Sequence, residues 1–226
     1  MPIKSLCLLL FTISTYPVFA QQTFEHGVLQ AYWLPVWNDN GTKNTPQLKY
    51  RYFVLNHKND VEKVINIDSN NEKSFISRLE KHFHNVPKSF TDFKEGHLEQ
   101  AGSLAVDHLK SVKECDHNYS GATLINFLPT PQLHFDIDKM EKNAGCESYP
   151  YIISYSVSPE INELYFKESP NPTAKDTAAI PNGVSLVKIK TINKDWIQAA
   201  VYDESKPGLT GVPEGYVELK KLKPVN

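Results

Sequence analysis

From Leu164 to Val225 the chain alternates short apolar runs with turn residues, and this rhythm restricts the stretch to a small β structure. The runs are Leu164-Tyr-Phe-Lys, Val184 to Ile189, Trp196-Ile and Gly215-Tyr-Val217. Between them lie Ser169-Pro-Asn-Pro172 and Ile180-Pro-Asn-Gly183. Gly183 suits a turn position with positive φ, and Gly215 suits a bend at a barrel corner. Val184, Leu186, Val187 and Ile189 are residue types that pack on a pleated surface. The expected product is a small closed sheet, which leaves few exposed edges.

The N-terminus carries a different signal. Lys4 gives a short positive region, Leu6 to Ile13 an apolar core, and Val18-Phe-Ala20 small residues at the −3 and −1 positions. This pattern predicts a cleavable signal peptide over residues 1–20, with an apolar core shorter than the roughly 20 residues a membrane span needs. The mature chain is therefore expected in the periplasm or outside the cell. Two cysteines then remain, Cys115 and Cys146, which in an oxidising compartment predict one disulfide. Its loop of about 30 residues contributes on the order of 3 kcal/mol in the chain-entropy picture. No C-x-x-C or second ligand pair accompanies them, so neither a metal nor another cofactor is expected.

The chain is 40% hydrophobic and 22% charged, a globular balance. Its formal net charge of −2 removes any bulk attraction to nucleic acid. Residues 24–67 predict strands at Val28 to Leu34, Leu48 to Leu55 and Val61 to Ile67, with Asn56 to Asp60 as a turn. The alternation within Leu48 to Leu55 reads as a half-buried strand. Ser69-x-x-Glu72 resembles a capping box ahead of Phe75, Ile76, Leu79 and Phe83, predicting a helix over 71–83. Leu98, Ala101, Ala105, Leu109 and Val112 predict a second helix, weakened by Gly102. Further strands are expected over 122–128, 133–137 and 151–157. The reading is an α+β domain over 21–158, an antiparallel sheet with two helices, then a separate all-β module over 159–226.

That module resembles the bacterial SH3-like (SH3b) domain. The resemblance rests on Tyr165-Phe-Lys167, Ser169-Pro, Ile180-Pro-Asn-Gly183, Asp195-Trp196, Gly215-Tyr-Val217 and Leu222, about a quarter of the chain. Lys167 stands where the family usually has Arg, and the stretch from Asp203 to Pro213 is longer than usual. The resemblance implies an SH3-like barrel that recognises peptidoglycan or a peptide. Tyr165, Trp196 and Tyr216 are its candidate contacts, because an aromatic face with a polar tip suits a glycan or a peptide.

Catalytic constellations are sparse. His82-x-His84 on a helix points to two faces and makes a poor metal pair, so both are expected at the surface. Asp107-His108 and Asp116-His117 are adjacent in sequence, and Asp136-x-Asp138 lacks the remaining calcium-loop ligands and reads as a solvated strand end. There is no Gly-x-Ser-x-Gly elbow and no His-Glu-x-x-His motif. The expected activity is binding, without catalysis. The alternatives are a periplasmic immunity or inhibitor protein that blocks a toxin or hydrolase, and a cell-wall hydrolase or its accessory.

Overall fold

A computed structural model describes residues 21–38, 44–68, 72–114, 117–130 and 135–225. The signal-peptide segment, Ser69 of the capping box and Cys115 of the expected disulfide lie outside them. In chain order the elements begin with strands β1 (Gln22–Phe24), β2 (Gly27–Leu34), β3 (Gln47–Leu55) and β4 (Val61–Ile67). Helices α1 (Glu72–His82) and α2 (Lys88–Phe93) follow, then strands β5 (His97–Glu114) and β6 (His117–Pro129) and helix α3 (Ile137–Lys142). The remainder is β7 (Ser154–Val157), β8 (Tyr165–Lys167), β9 (Asp176–Ala179), β10 (Ser185–Thr191), β11 (Trp196–Tyr202), β12 (Thr210–Glu218) and β13 (Leu222–Pro224).

Among the described residues the chain is mostly β, 51% strand against 14% helix, arranged as two sheets, one of them a half-barrel, with three short helices. This corrects the expectation of an α+β domain with two helices followed by an SH3-like barrel. Two findings overturn it. The expected helix over 98–112 is β5, an 18-residue strand paired with β1, β2 and β6. The C-terminal strands do not form a barrel of their own either, since β7 lies inside their sheet between β13 and β10.

The first sheet has the order β1-β5-β2-β3-β4-β6, and an added β5–β6 pairing returns the ladder on itself. β2, β3 and β4 form an antiparallel meander in the expected positions, whereas β4 and β6 pair in parallel. Leu29, Ala31, Trp33, Tyr50, Tyr52, Leu104, Val106 and Phe127 fill one face, closed by Leu79 and Phe83 of the α1 end and Phe90 of α2. Fully burying a side chain of this size contributes about 1.5–3 kcal/mol. Val28, Phe53, Leu55 and Val64 pack on the opposite face, under Met140 of α3 and Ala144. β2 is therefore buried on both sides, which is why its sequence runs apolar without alternation.

Two glycines admit the aromatic layer. A Cβ on Gly102 would lie 2.4 Å from the Leu128 carbonyl and 2.6 Å from the Phe127 ring. A Cβ on Gly27 would lie 2.3 Å from the Phe53 carbonyl and 2.5 Å from the Tyr52 ring. Tyr52 meets Phe127 edge-on at 6.5 Å and donates its hydroxyl to the Gly102 carbonyl at 2.7 Å. Gly102 is thus a site of close approach inside a strand.

The second sheet runs β13-β7-β10-β11-β12-β8-β9. Its core holds Ile153, Tyr155, Phe166, Leu186, Ile197, Ala199, Val217 and Leu222, with Trp37 from the first half of the chain packed against it. Two side chains from the segment before β7 also reach across. Glu95 accepts from Lys188 Nζ at 2.5 Å, from the Thr191 backbone N–H at 2.7 Å and from the Thr191 hydroxyl at 2.6 Å. Asp138 accepts from the Gly208 N–H at 3.0 Å. Burial pushes the Glu95 carboxyl up, but Lys188 and the two Thr191 donors outweigh it and hold it below the ordinary range.

Candidate functional site

The sequence nominated Tyr165, Trp196 and Tyr216, and strand register places all three on one face of the second sheet. Trp196 pairs with Glu218, Gln198 with Tyr216, and Tyr216 with Lys167. Directly paired residues project to the same side, and Tyr165 lies two residues before Lys167, so it shares that side. The intervening Phe166, Ile197 and Val217 belong to the core. Tyr165 is 38% exposed and Trp196 only 6%, while Tyr216 is half-buried. Trp196 is therefore largely covered, and the two tyrosines offer the reachable surface. The Tyr165 hydroxyl donates to Glu163 at 3.3 Å. Lys167 pairs with Asp176 at 2.7 Å, and Glu218 lies 3.3 Å from Lys221 and 3.4 Å from Lys220. The face therefore interleaves aromatic side chains with ion-paired Lys167 and Glu218.

A second arrangement was invisible in the sequence. Across four neighbouring strands, Glu99 of β5 pairs with Gln30 of β2, Gln30 with Arg51 of β3, and Arg51 with Asn66 of β4. This polar row is roofed by α3 and the short 3-10 turn Gly145–Glu147. Arg51 is fully buried. Its guanidinium donates to Gln30 Oε1 at 2.6 Å, to Glu141 Oε1 at 3.0 Å and to the Glu147 carbonyl at 2.5 Å. It also lies 4.7 Å from the Phe53 ring centre and 5.3 Å from that of Tyr32. Gln30 Nε2 donates to Glu99 at 3.0 Å and Glu141 at 2.9 Å. Tyr151 donates its hydroxyl to the second Glu141 oxygen at 2.7 Å, and Asn66 donates to both Glu147 oxygens at 2.9 Å. Buried charges survive only with this degree of pairing. The cluster fixes the segment 135–153 onto the first sheet.

The row ends at a cleft between the two sheets. His97 Nδ1 donates to Glu99, and its ring stacks on Tyr151 at 4.1 Å. Burial lowers the His97 pKa, but the hydrogen bond and charge of Glu99, with Glu141, outweigh it and raise it above the ordinary histidine value. Tyr151 is raised as well, by burial first and then by Glu141. Both side chains line a cleft of about 420 Å³, walled by Phe90, Phe93, Leu98, Val187 and Ile189 and bordered by Lys188 and Lys190.

Other readings change with the structure. His82, expected at the surface, is 3% exposed, set edge-on against Phe127 at 5.7 Å, while His84 is exposed. Asp107 and His108 do approach, Oδ1 to Nδ1, at 2.8 Å. Asp136 is no strand end; it caps α3, accepting from the Lys139 N–H at 3.1 Å. The expected strand 133–137 accordingly gives way to a helix from Ile137, residues 131–134 lying outside the description. Among the described residues no group of three His, Cys, Asp or Glu side chains could hold a metal ion. No family model, curated protein or solved structure matches the chain.

Proposed function

We propose that the protein is an exported binding protein of the cell envelope, recognising peptidoglycan or a peptide through the aromatic face of its second sheet without a cofactor. One observation carries the reading. Residues from three strands, chosen in the sequence for their contact chemistry, share one face in adjacent register, with Trp196 buried and Tyr165 and Tyr216 the more exposed rings. Aromatic rings with polar tips give large contact area at small entropic cost, which suits both glycan and peptide ligands. The Tyr216 hydroxyl has no partner among the described residues, so a ligand can take it without breaking an internal bond. Lys167 and Glu218, engaged in ion pairs, place polar groups between the aromatic side chains.

The test incubates the chain from Gln21 onward with purified sacculi and, in parallel, with periplasmic extract. Co-sedimentation with sacculi that is lost in Tyr165→Ala/Tyr216→Ala, a variant folded by circular dichroism, supports the reading. A single stoichiometric protein partner without sacculus binding overturns the wall arm and moves the assignment to an inhibitor of an exported protein. Binding of neither removes the proposal.

A further inference from the structure

We propose that the cleft between the two sheets is a separate binding site for a small apolar monocarboxylate, its hydrocarbon part against Phe90, Phe93, Leu98 and Ile189 and its carboxylate between His97 and Lys188. The volume of about 420 Å³ lies within the usual range of small-molecule sites, which favour junctions between structural units. Its walls are apolar, and two of them stay open to solvent: Phe93 is 43% exposed and Ile189 38%.

The polar groups reaching the cleft supply donors in excess of acceptors. The Lys188 side chain is 6% exposed, and its ammonium has three N–H groups. One is taken by Glu95 at 2.5 Å and a second lies 3.5 Å from the Thr191 hydroxyl. The third has no acceptor among the described residues. His97 uses Nδ1 on Glu99, leaving Nε2 free of any described partner. Because Glu99 can only accept, Nδ1 carries a proton in both charge states, so protonation of the ring places a second N–H on Nε2. The raised pKa of His97 keeps that proton further into the neutral range than an ordinary histidine does. Glu95, the carboxylate that lines the cleft, already takes three donors, and Glu99 Oε1 takes both His97 and Gln30. Lys190, exposed at the border, adds a further positive charge. An anion therefore completes the site, whereas an ammonium ligand meets Lys188 and Lys190 and, in the lining, only a carboxylate that three donors already engage.

The groups that face His97 are Glu99 on its own strand, Glu141 of α3, Arg51 of β3 and Tyr151 of the loop before β7, with Glu95 and Lys188 bordering the same cleft. Affinity is highest below the raised pKa of His97 and falls as pH rises through it, because Nε2 then turns from donor to acceptor.

Calorimetric titration of the full mature chain with octanoate, methyl octanoate and octylammonium at pH 6 tests the site. Octanoate should bind one to one and at least tenfold tighter than the other two. Its affinity should fall at least fivefold between pH 6 and pH 9, and His97→Gln should flatten that dependence. Lys188→Gln also loses the Glu95 contact and is liable to misfold, so the decisive variant is Phe93→Asp, an exposed wall position that should abolish octanoate binding in a folded protein. Equal affinity for octanoate and octylammonium, unchanged binding in Phe93→Asp, or the absence of saturable octanoate binding would each overturn the proposal.

Discussion

His82 sets the acid sensitivity of the fold. It ends α1 with 3% exposure, and its Nδ1 is buried with no hydrogen-bond partner among the described residues. Burial, then the charges of Lys81 and Arg78, lower its pKa from 6.5 to about 4. In the unfolded chain the ring titrates near 6.5, so between the two values the unfolded state holds the extra proton. Stability is thus complete above about pH 6.5 and is lost as pH falls toward the folded value. Linkage gives a loss, relative to pH 7, of about 1.2 kcal/mol at pH 5.5 and about 2.4 kcal/mol at pH 4.5. His97 works in the opposite sense, since a raised folded pKa contributes stability at low pH that is lost as pH rises through it. Glu95, held low, contributes above its unfolded value near 4.3 and only weakens the fold in more acid solution. Urea unfolding of the wild type and His82→Phe at pH 7.0, 5.5 and 4.5 isolates the term, because phenylalanine keeps an aromatic ring beside Phe127 and cannot titrate. The wild type should lose about 2 kcal/mol more than the variant across this range. Parallel pH profiles, within about 0.5 kcal/mol, would refute the reasoning, since so small a difference cannot accommodate the linkage.

Three further outcomes follow from the same structure. Arg51→Met leaves Glu141 buried without its cation and should cost about 3–5 kcal/mol by denaturant unfolding, with part recovered in Arg51→Met/Glu141→Gln; a cost below about 1 kcal/mol contradicts the network. Gly102→Ala should cost about 1–3 kcal/mol through overpacking against Phe127 and the Leu128 carbonyl, read as a lowered urea midpoint, whereas Ser103→Ala beside it should change little. Reduction of the chain from Gln21 onward should lower its stability by about 3 kcal/mol if Cys115 and Cys146 are bridged, and equal melting temperatures with and without reductant dismiss the bridge.

Much of the first sheet was legible because its strands carry strong local signals. β2, β3 and β4 stand where apolar runs bounded by turn residues placed them, and α1 matches the spacing of Leu79 and Phe83. β5 was misread because Leu98, Ala101, Ala105 and Leu109 fit a 3.6-residue period. In the fold Ala101, Leu104 and Val106 are buried, and an extra residue in β5 between Asp107 and Lys110, where His108 has φ 51°, shifts the phase of its second half. Pairing with β2 and β6 overrides the local preference. The buried row was hidden for a related reason. Gln30, Arg51, Asn66 and Glu99 carry no local sign of a shared site, and only cross-strand register plus the roof of α3 buries Gln30 and Arg51 and half-buries the other two. The one available hint was Gln30, a lone amide inside an otherwise apolar run. The aromatic face was nominated residue by residue, but its coherence depends on pairings among β8, β11 and β12 that no local pattern encodes.

The measurement that tests the central claim most directly is an amide chemical-shift map of the chain from Gln21 onward titrated with soluble peptidoglycan fragments and, separately, with peptides released from sacculi. The account predicts saturable shifts concentrated at Tyr165 to Lys167, Trp196 to Gln198 and Tyr216 to Glu218, with the first sheet unmoved. Saturable shifts confined to β1–β6, or none with either ligand set, would contradict it.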